Sequence, residues 1–215
     1  MEKFSHETKE AREGTPYDLG VIFRVEGEAK KETNRLVGLI ENRVKLVSRV
    51  DESRLPHISL FQGRMPGVPD IAQLERVIAE LFKESKFNKI EMDSNLFIRP
   101  NGNIFWNATP NNNLSELHLK LLEKLHPLTK GLLMEQFKSI LGKDETSDSD
   151  REQIEKYGSL LAGPTFLPHI TLGRLENIGD KKLIEDIKPE LTYFHLAEPV
   201  IAELNQDGSL KSASM

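Results

Sequence analysis

The 215-residue chain contains no cysteine, which excludes disulfides and thiolate metal sites and makes a reducing, cytoplasmic setting the default expectation. Long apolar runs are missing too. None approaches the roughly 20 residues of a bilayer span, so no membrane segment is expected. Residues 1–16 are polar and mixed in charge, lack the apolar stretch of a secretory signal, and read as a tail. Positive charge is scarce: 29 Lys and Arg face 34 Asp and Glu, for a formal net charge of −5. A long basic track along a nucleic acid is therefore disfavoured, because such binding draws its affinity from neutralised phosphates, whereas a mononucleotide or one RNA end is still allowed. Also absent are a Gly-rich phosphate loop, a Walker pattern, a G-x-S-x-G elbow and a His-x-His-x-His strand. Metal catalysis gathers three or more ligands, often close in sequence; nothing here has that spacing, so neither a metal nor another cofactor is expected.

What the chain does have is one six-residue string written twice. Leu55-Pro56-His57-Ile58-Ser59-Leu60 and Leu167-Pro168-His169-Ile170-Thr171-Leu172 lie more than a hundred residues apart and differ only in which hydroxyl residue they carry. If each is a β-strand, its period of two turns His57 with Ser59, and His169 with Thr171, to one face. Ile58, Leu60, Ile170 and Leu172 then face a core. Two imidazoles sharing a cleft, with hydroxyl donors beside them, can move both protons of a phosphodiester cleavage without a metal.

The flanking pattern repeats as well. Residues 17–25 are β-branched and aromatic and read as a strand, and 28–47 place Leu36, Leu39, Ile40, Val44 and Val47 at helical spacing. After the first histidine strand (55–62) and a Gly/Pro loop, residues 69–82 form a helix with a stripe at Ile71, Leu74, Val77, Ile78, Leu81 and Phe82. Residues 89–98 and 103–109 pair about a Pro-Asn-Gly turn. A helix at 114–125 follows, with Leu114, Leu117, Leu121, Leu122 and Leu125 as its buried side. Residues 127–164 read as an insertion, with a helical stretch at 128–141, an acidic loop at 144–150 and no clear preference at 153–161. The second histidine strand (165–174), a short helix (180–187) and a final strand pair (191–196, 200–204) complete the chain. Helix, histidine strand, helix and strand pair thus occur twice, which gives the short string its weight.

These residues resemble the two-histidine phosphoesterase superfamily, which includes bacterial RNA 2′,3′-cyclic phosphodiesterases, often labelled 2′-5′ RNA ligases. The mark of that superfamily is a pair of His-hydrophobic-Ser/Thr-hydrophobic tetrads, one per lobe, matched here by His57-Ile58-Ser59-Leu60 and His169-Ile170-Thr171-Leu172. The likeness extends to the opening strand, the hairpin carrying Phe105-Trp106, the leucine helix and Phe166-Leu167-Pro168. It covers residues 17–204. The resemblance implies an α+β, bilobal fold in which two antiparallel sheets, related by a pseudo-two-fold and backed by outer helices, flank a central groove lined by both tetrads. It implies one domain over 17–215, acting as a monomer on an RNA end or a small cyclic nucleotide. The implied reaction is metal-independent hydrolysis of a 2′,3′-cyclic phosphate, with a 2′-phosphate as the usual product. Alternatives are 2′-5′ phosphodiesterase or RNA ligase activity, including on 2′-5′ oligoadenylate, and an idle RNA-end or nucleotide-binding module.

In that chemistry one neutral histidine takes a proton from water while the other, protonated, gives one to the leaving alkoxide. Ser59 and Thr171 would bond the non-bridging oxygens. Arg64 and Arg174 follow the tetrads and are candidates for phosphate or base contact. Tyr17, Phe61, Trp106 and Phe166 are candidates for base stacking, with Tyr17 and Phe166 preferred and Trp106 more at home in a core. His6, His118, His126 and His195 read as structural or exposed.

Overall fold

A computed structural model describes residues 14–51, 54–109 and 111–211. Most of the 1–16 tail, and His6 with it, lies outside the described residues. Eight strands, β1 (Tyr17–Arg24), β2 (Leu46–Arg49), β3 (His57–Met65), β4 (Lys89–Ile98), β5 (Asn103–Ala108), β6 (His169–Leu175), β7 (Tyr193–His195) and β8 (Val200–Glu203), form one curled sheet. Its order is β7-β4-β5-β6-β3-β1-β8, with β2 beside β6, and every pairing is antiparallel.

The expected pair of separate sheets is thus corrected to a single sheet whose halves meet at the two histidine strands. β3 is zipped to β1 and β6 to β5, but β3 and β6 share only the register pair Ile58↔Ile170. That one pair matters. It joins the two halves at the point where β2, which takes up the rest of that edge of β6, leaves off.

Five α-helices, α1 (Gly27–Glu41), α2 (Ile71–Ser85), α3 (Asn112–Leu125), α4 (Glu135–Leu141) and α5 (Asp148–Tyr157), accompany the sheet. α2 starts where the Asp70 carboxylate accepts the Gln73 N–H at 3.0 Å, and it buries Leu74, Ile78 and Leu81. α3 starts at Asn111, whose side chain accepts from Asn113 and Leu114, and it buries Leu114, Leu117, Leu121, Leu122 and Leu125. α3 buries the stripe the periodicity predicts, and α2 buries the middle of its own, with Ile71, Val77 and Phe82 only partly covered. Between α1, α2, α3 and the sheet lies the main core, with Trp106 fully buried and its indole N–H donating to Asp93 O at 3.0 Å. Trp106 is thereby removed from the stacking candidates.

Three local expectations fail for identifiable reasons. The helix predicted over 28–47 ends at Glu41, and residues 46–49 become β2. Val50 N–H donates to Leu172 O and Glu176 N–H to Lys45 O, so pairing with β6 outcompetes the helical spacing of Val44 and Val47; Val47 is 59% exposed. The last two strands do not pair with each other: β7 lies on β4 and β8 on β1, at opposite edges. Finally, the acidic loop predicted over 144–150 holds only as far as Ser147, because residues 148–150 open α5. Ser147 caps Asp150 N–H at 3.1 Å, and Asp148 and Asp150 occupy the first turn of α5, where carboxylates meet the positive end of the helix dipole.

The predicted helix at 128–141 divides into a 3-10 turn, His126–Thr129, and α4. Together α4, α5 and the C-terminal residues enclose a second, smaller core of Ile22, Met134, Phe137, Ile154, Leu204 and Leu210. The insertion is therefore anchored on the sheet. Among the described residues, no helix is long and apolar enough to cross a membrane.

Candidate active site

Each histidine is set by the same local device. Proline has no N–H, yet its carbonyl can still be held: Pro56 O accepts from Val25 N–H at 3.2 Å and Pro168 O from Ala108 N–H at 2.8 Å. The leucine carbonyl before each proline is then free for the histidine. His57 Nδ1 donates to Leu55 O at 3.0 Å, and His169 Nδ1 to Leu167 O at 2.7 Å. A carbonyl can only accept, so each ring carries its proton on Nδ1 and keeps a lone pair on Nε2.

The seam pair Ile58↔Ile170 then decides how the two devices face each other. In an antiparallel ladder this register sets His57 across from Thr171 and Ser59 across from His169, all four on one face. The histidines stand on a diagonal, about 7–8 Å apart in a regular ladder. All four line one cleft of about 510 Å³. The diagonal leaves an imidazole on either side and a hydroxyl at each remaining corner of the space between them.

The hydroxyls are placed as donors. Ser59 Oγ accepts from Gln62 Nε2 at 3.0 Å, which leaves its O–H proton for the cleft, and Thr171 is exposed. Strict alternation would turn Gln62 to the core. The register between β1 and β3 slips after Val21, which faces Phe61, so that Ile22 faces Ser59 and Leu60 is the extra residue of a bulge. Beyond the bulge the phase reverses. Gln62 enters the cleft, and its only sequence signal is a polar residue at a core position.

Two further cleft residues surround His169. Phe105 of β5 stacks on its ring with centroids 3.7 Å apart, and Arg99, at the turn between β4 and β5, also lines the cleft. Burial pushes the His169 pKa down to about 4, reinforced by the nearby His57 and Arg99. Burial also lowers His57. Both shifts favour the neutral ring. Asn107, opposite His169 on β5, has a buried Oδ1 with no hydrogen-bond partner in the protein.

Of the binding residues expected from the sequence, Arg174 and Phe166 line the cleft and Tyr17 does not. Tyr17 pairs with Met65 at the far end of β3, whereas Arg24 pairs with His57; the seven residue steps from Tyr17 to Arg24 put Tyr17 about 23 Å of strand away. It borders a separate depression with Arg24 and Lys211. Arg64 is corrected as well. It is 8% exposed, forks onto Asp18 at 2.7 and 2.8 Å and reaches Glu135, a structural pairing beneath α4. Phe61, 3% exposed, borders the cleft but packs in the main core.

Among the described residues Arg99 and Arg174 have no ion pair or side-chain hydrogen bond, whereas the cleft's Arg49 and Arg54 are paired with Glu41 and Asp207. The hairpin tip joins the two free arginines: Asn103 faces Arg174, Arg99 N–H donates to Asn103 O, and Leu175 N–H donates to Gly102 O. His118 is buried on α3, as a structural histidine should be, and His195 is exposed. Among the described residues, no group of three His, Cys, Asp or Glu is arranged to hold a metal ion. No protein-family model matches the chain, and neither does any curated protein.

Proposed function

We propose that the protein is a phosphodiesterase of the two-histidine type that hydrolyses 2′,3′-cyclic phosphate ends of RNA or nucleotides to 2′-phosphates. One observation carries the reading: two Nε2 lone pairs, each set by the same Leu-Pro-His device, border a single cleft with a hydroxyl beside each. A binding module needs neither the duplication nor the matched tautomers. The shared pattern of tetrads supports kinship with the two-histidine phosphoesterases, and the cysteine-free composition is compatible with a reducing compartment.

The reaction follows from the proton inventory. Water attacks phosphorus in line with the 3′-oxygen; a P–O bond to water forms and the P–O3′ bond breaks. His169, kept neutral by burial and Arg99, takes the proton of the attacking water. His57, protonated once the anionic phosphate is bound, gives its Nε2 proton to the departing 3′-oxygen. Ser59 and Thr171 donate to the non-bridging oxygens as their charge grows, and Arg99 and Arg174 supply positive potential at the cleft wall. Turnover ends with the proton on His169 instead of His57. Exchange with solvent resets the pair.

The test is adenosine 2′,3′-cyclic phosphate incubated with the protein and a chelator, with products resolved by phosphorus NMR. Adenosine 2′-phosphate is expected, and His57→Ala and His169→Ala should each lose on the order of 10²- to 10⁴-fold in rate while keeping the wild-type circular dichroism. Activity abolished by chelation, or a rate unchanged in either variant, overturns the mechanism. Cleavage of 2′-5′ dimers in preference to the cyclic phosphate would move the assignment to 2′-5′ linkages.

A further inference from the structure

His57, Ser59, His169 and Thr171 occupy only part of the cleft. One of its ends is built differently from the other. The free arginines and the asparagines of the hairpin tip lie at the β4–β5 side, whereas the segment joining α3 to β6 contributes Phe137, Ile140, Tyr157, Leu160, Leu161 and Phe166. This apolar wall rests on the second core through Phe137 and the fully buried Ile154, so it is a fixed surface.

Phe166 is held by an unusual support. The imidazole of His118 lies flat against it, with centroids 3.8 Å apart and planes 6° from parallel. His118 is 2% exposed and has both nitrogens engaged: Nδ1 donates to Leu60 O at 2.6 Å, and Nε2 accepts from Gly163 N–H at 2.8 Å. One buried ring thus ties the bulge of the first histidine strand to the chain three residues before Phe166 and six before His169. Gly163 itself admits no side chain: its φ is +60°, and a Cβ would sit 2.8 Å from the Tyr157 ring. Phe166 is half-buried, covered on one face by His118, and borders the cleft with its remaining surface.

We propose that this wall recognises the base of a terminal ribonucleoside, with Phe166 as the stacking platform and His118 as the positioning residue that holds it. The inference rests on the phosphodiesterase reading, because it takes the phosphate to lie between His57 and His169. A planar heterocycle is the occupant that suits a flat, supported aromatic ring beside a phosphate site, in a cleft whose roughly 510 Å³ falls in the range of small-molecule sites. The base enters the apolar end. The remainder of the substrate extends toward Arg99 and Arg174, where phosphates are welcome.

The test compares adenosine 2′,3′-cyclic phosphate with glycerol 1,2-cyclic phosphate, which has the same five-membered ring and no base. The wild type should prefer the nucleoside in kcat/KM by tenfold or more, on the order of what one stacked base contributes. Phe166→Leu should erase most of that preference through KM rather than kcat. His118→Leu should act in the same direction, and His118→Gln, whose amide offers a donor and an acceptor, should restore part of the loss. Calorimetric binding of adenosine 2′-phosphate against glycerol 2-phosphate provides a readout without turnover, and Phe166→Leu should weaken only the former, by about tenfold. Equal use of both cyclic phosphates, or undiminished binding of adenosine 2′-phosphate by Phe166→Leu, overturns base recognition. Turnover of neither cyclic phosphate overturns the reaction instead, and the binding comparison then decides the base pocket alone.

Discussion

Placing a phosphate ester in this cleft at pH 7 should draw about half a proton from the buffer. In the free protein burial holds His169 at about 4, so its protonated fraction at pH 7 is on the order of one in a thousand, and His57 is displaced in the same direction. A monoanion about 4 Å from an imidazolium contributes about 4 kcal/mol at the effective dielectric of a site near the protein surface. Each 1.36 kcal/mol moves a pKa by about one, so the attraction is large enough to lift an imidazole from about 4 to near 7. No more than one proton is taken up, because the first imidazolium opposes the second and the two rings titrate as a pair. Titration calorimetry with adenosine 2′-phosphate in two buffers of different ionisation enthalpy measures the uptake directly. The same physics displaces the pH profile of kcat to higher pH than that of kcat/KM, since bound phosphate protects the acid. A proton uptake of zero, or histidine pKa values of 6.5 or more in the ligand-free protein by NMR, would refute the argument.

Three further outcomes follow from the same geometry. Ser59→Ala and Thr171→Val should each lower kcat on the order of 10²-fold, as loss of a charge-stabilising donor does, and a drop confined to KM would count against that role. Arg64→Ala should cost about 3 kcal/mol in urea denaturation, because it leaves the Asp18 carboxylate buried without its partner; a loss under 1 kcal/mol would mean that water replaces the fork. A depressed histidine also makes stability fall with acid: between pH 6.5 and 4 the unfolded chain binds a proton that folded His169 refuses, so stability drops as pH falls through that window. Between pH 7 and 4.5 this one residue removes roughly 2 kcal/mol, and His169→Asn should recover that amount in paired urea melts.

Much of the site could be read directly from the chain. The period of two places His57 with Ser59 and His169 with Thr171, and the Leu-Pro that precedes each histidine supplies the carbonyl its Nδ1 needs. The apolar stripes of α2 and α3 are equally local, since helical spacing is a property of neighbours in sequence. Other features depend on partners far along the chain. Residues 46–49 carry a helical pattern but meet the free edge of β6, and the hydrogen bonds offered there prevail. The bulge at Leu60 brings Gln62 into the cleft and turns Arg64 toward Asp18, reversing what alternation alone implies for both.

The amino-acid sequence by itself determined which side chains can move protons and which backbone groups orient them, because those relations span two residues of one strand. Only the tertiary structure decided that the two strands meet at Ile58 and Ile170, that Arg99 and Phe105 flank His169, and that Tyr17 lies away from the cleft. Register between strands more than a hundred residues apart is set by how the whole sheet closes and by what the helices bury against it, a balance that no local window of sequence contains.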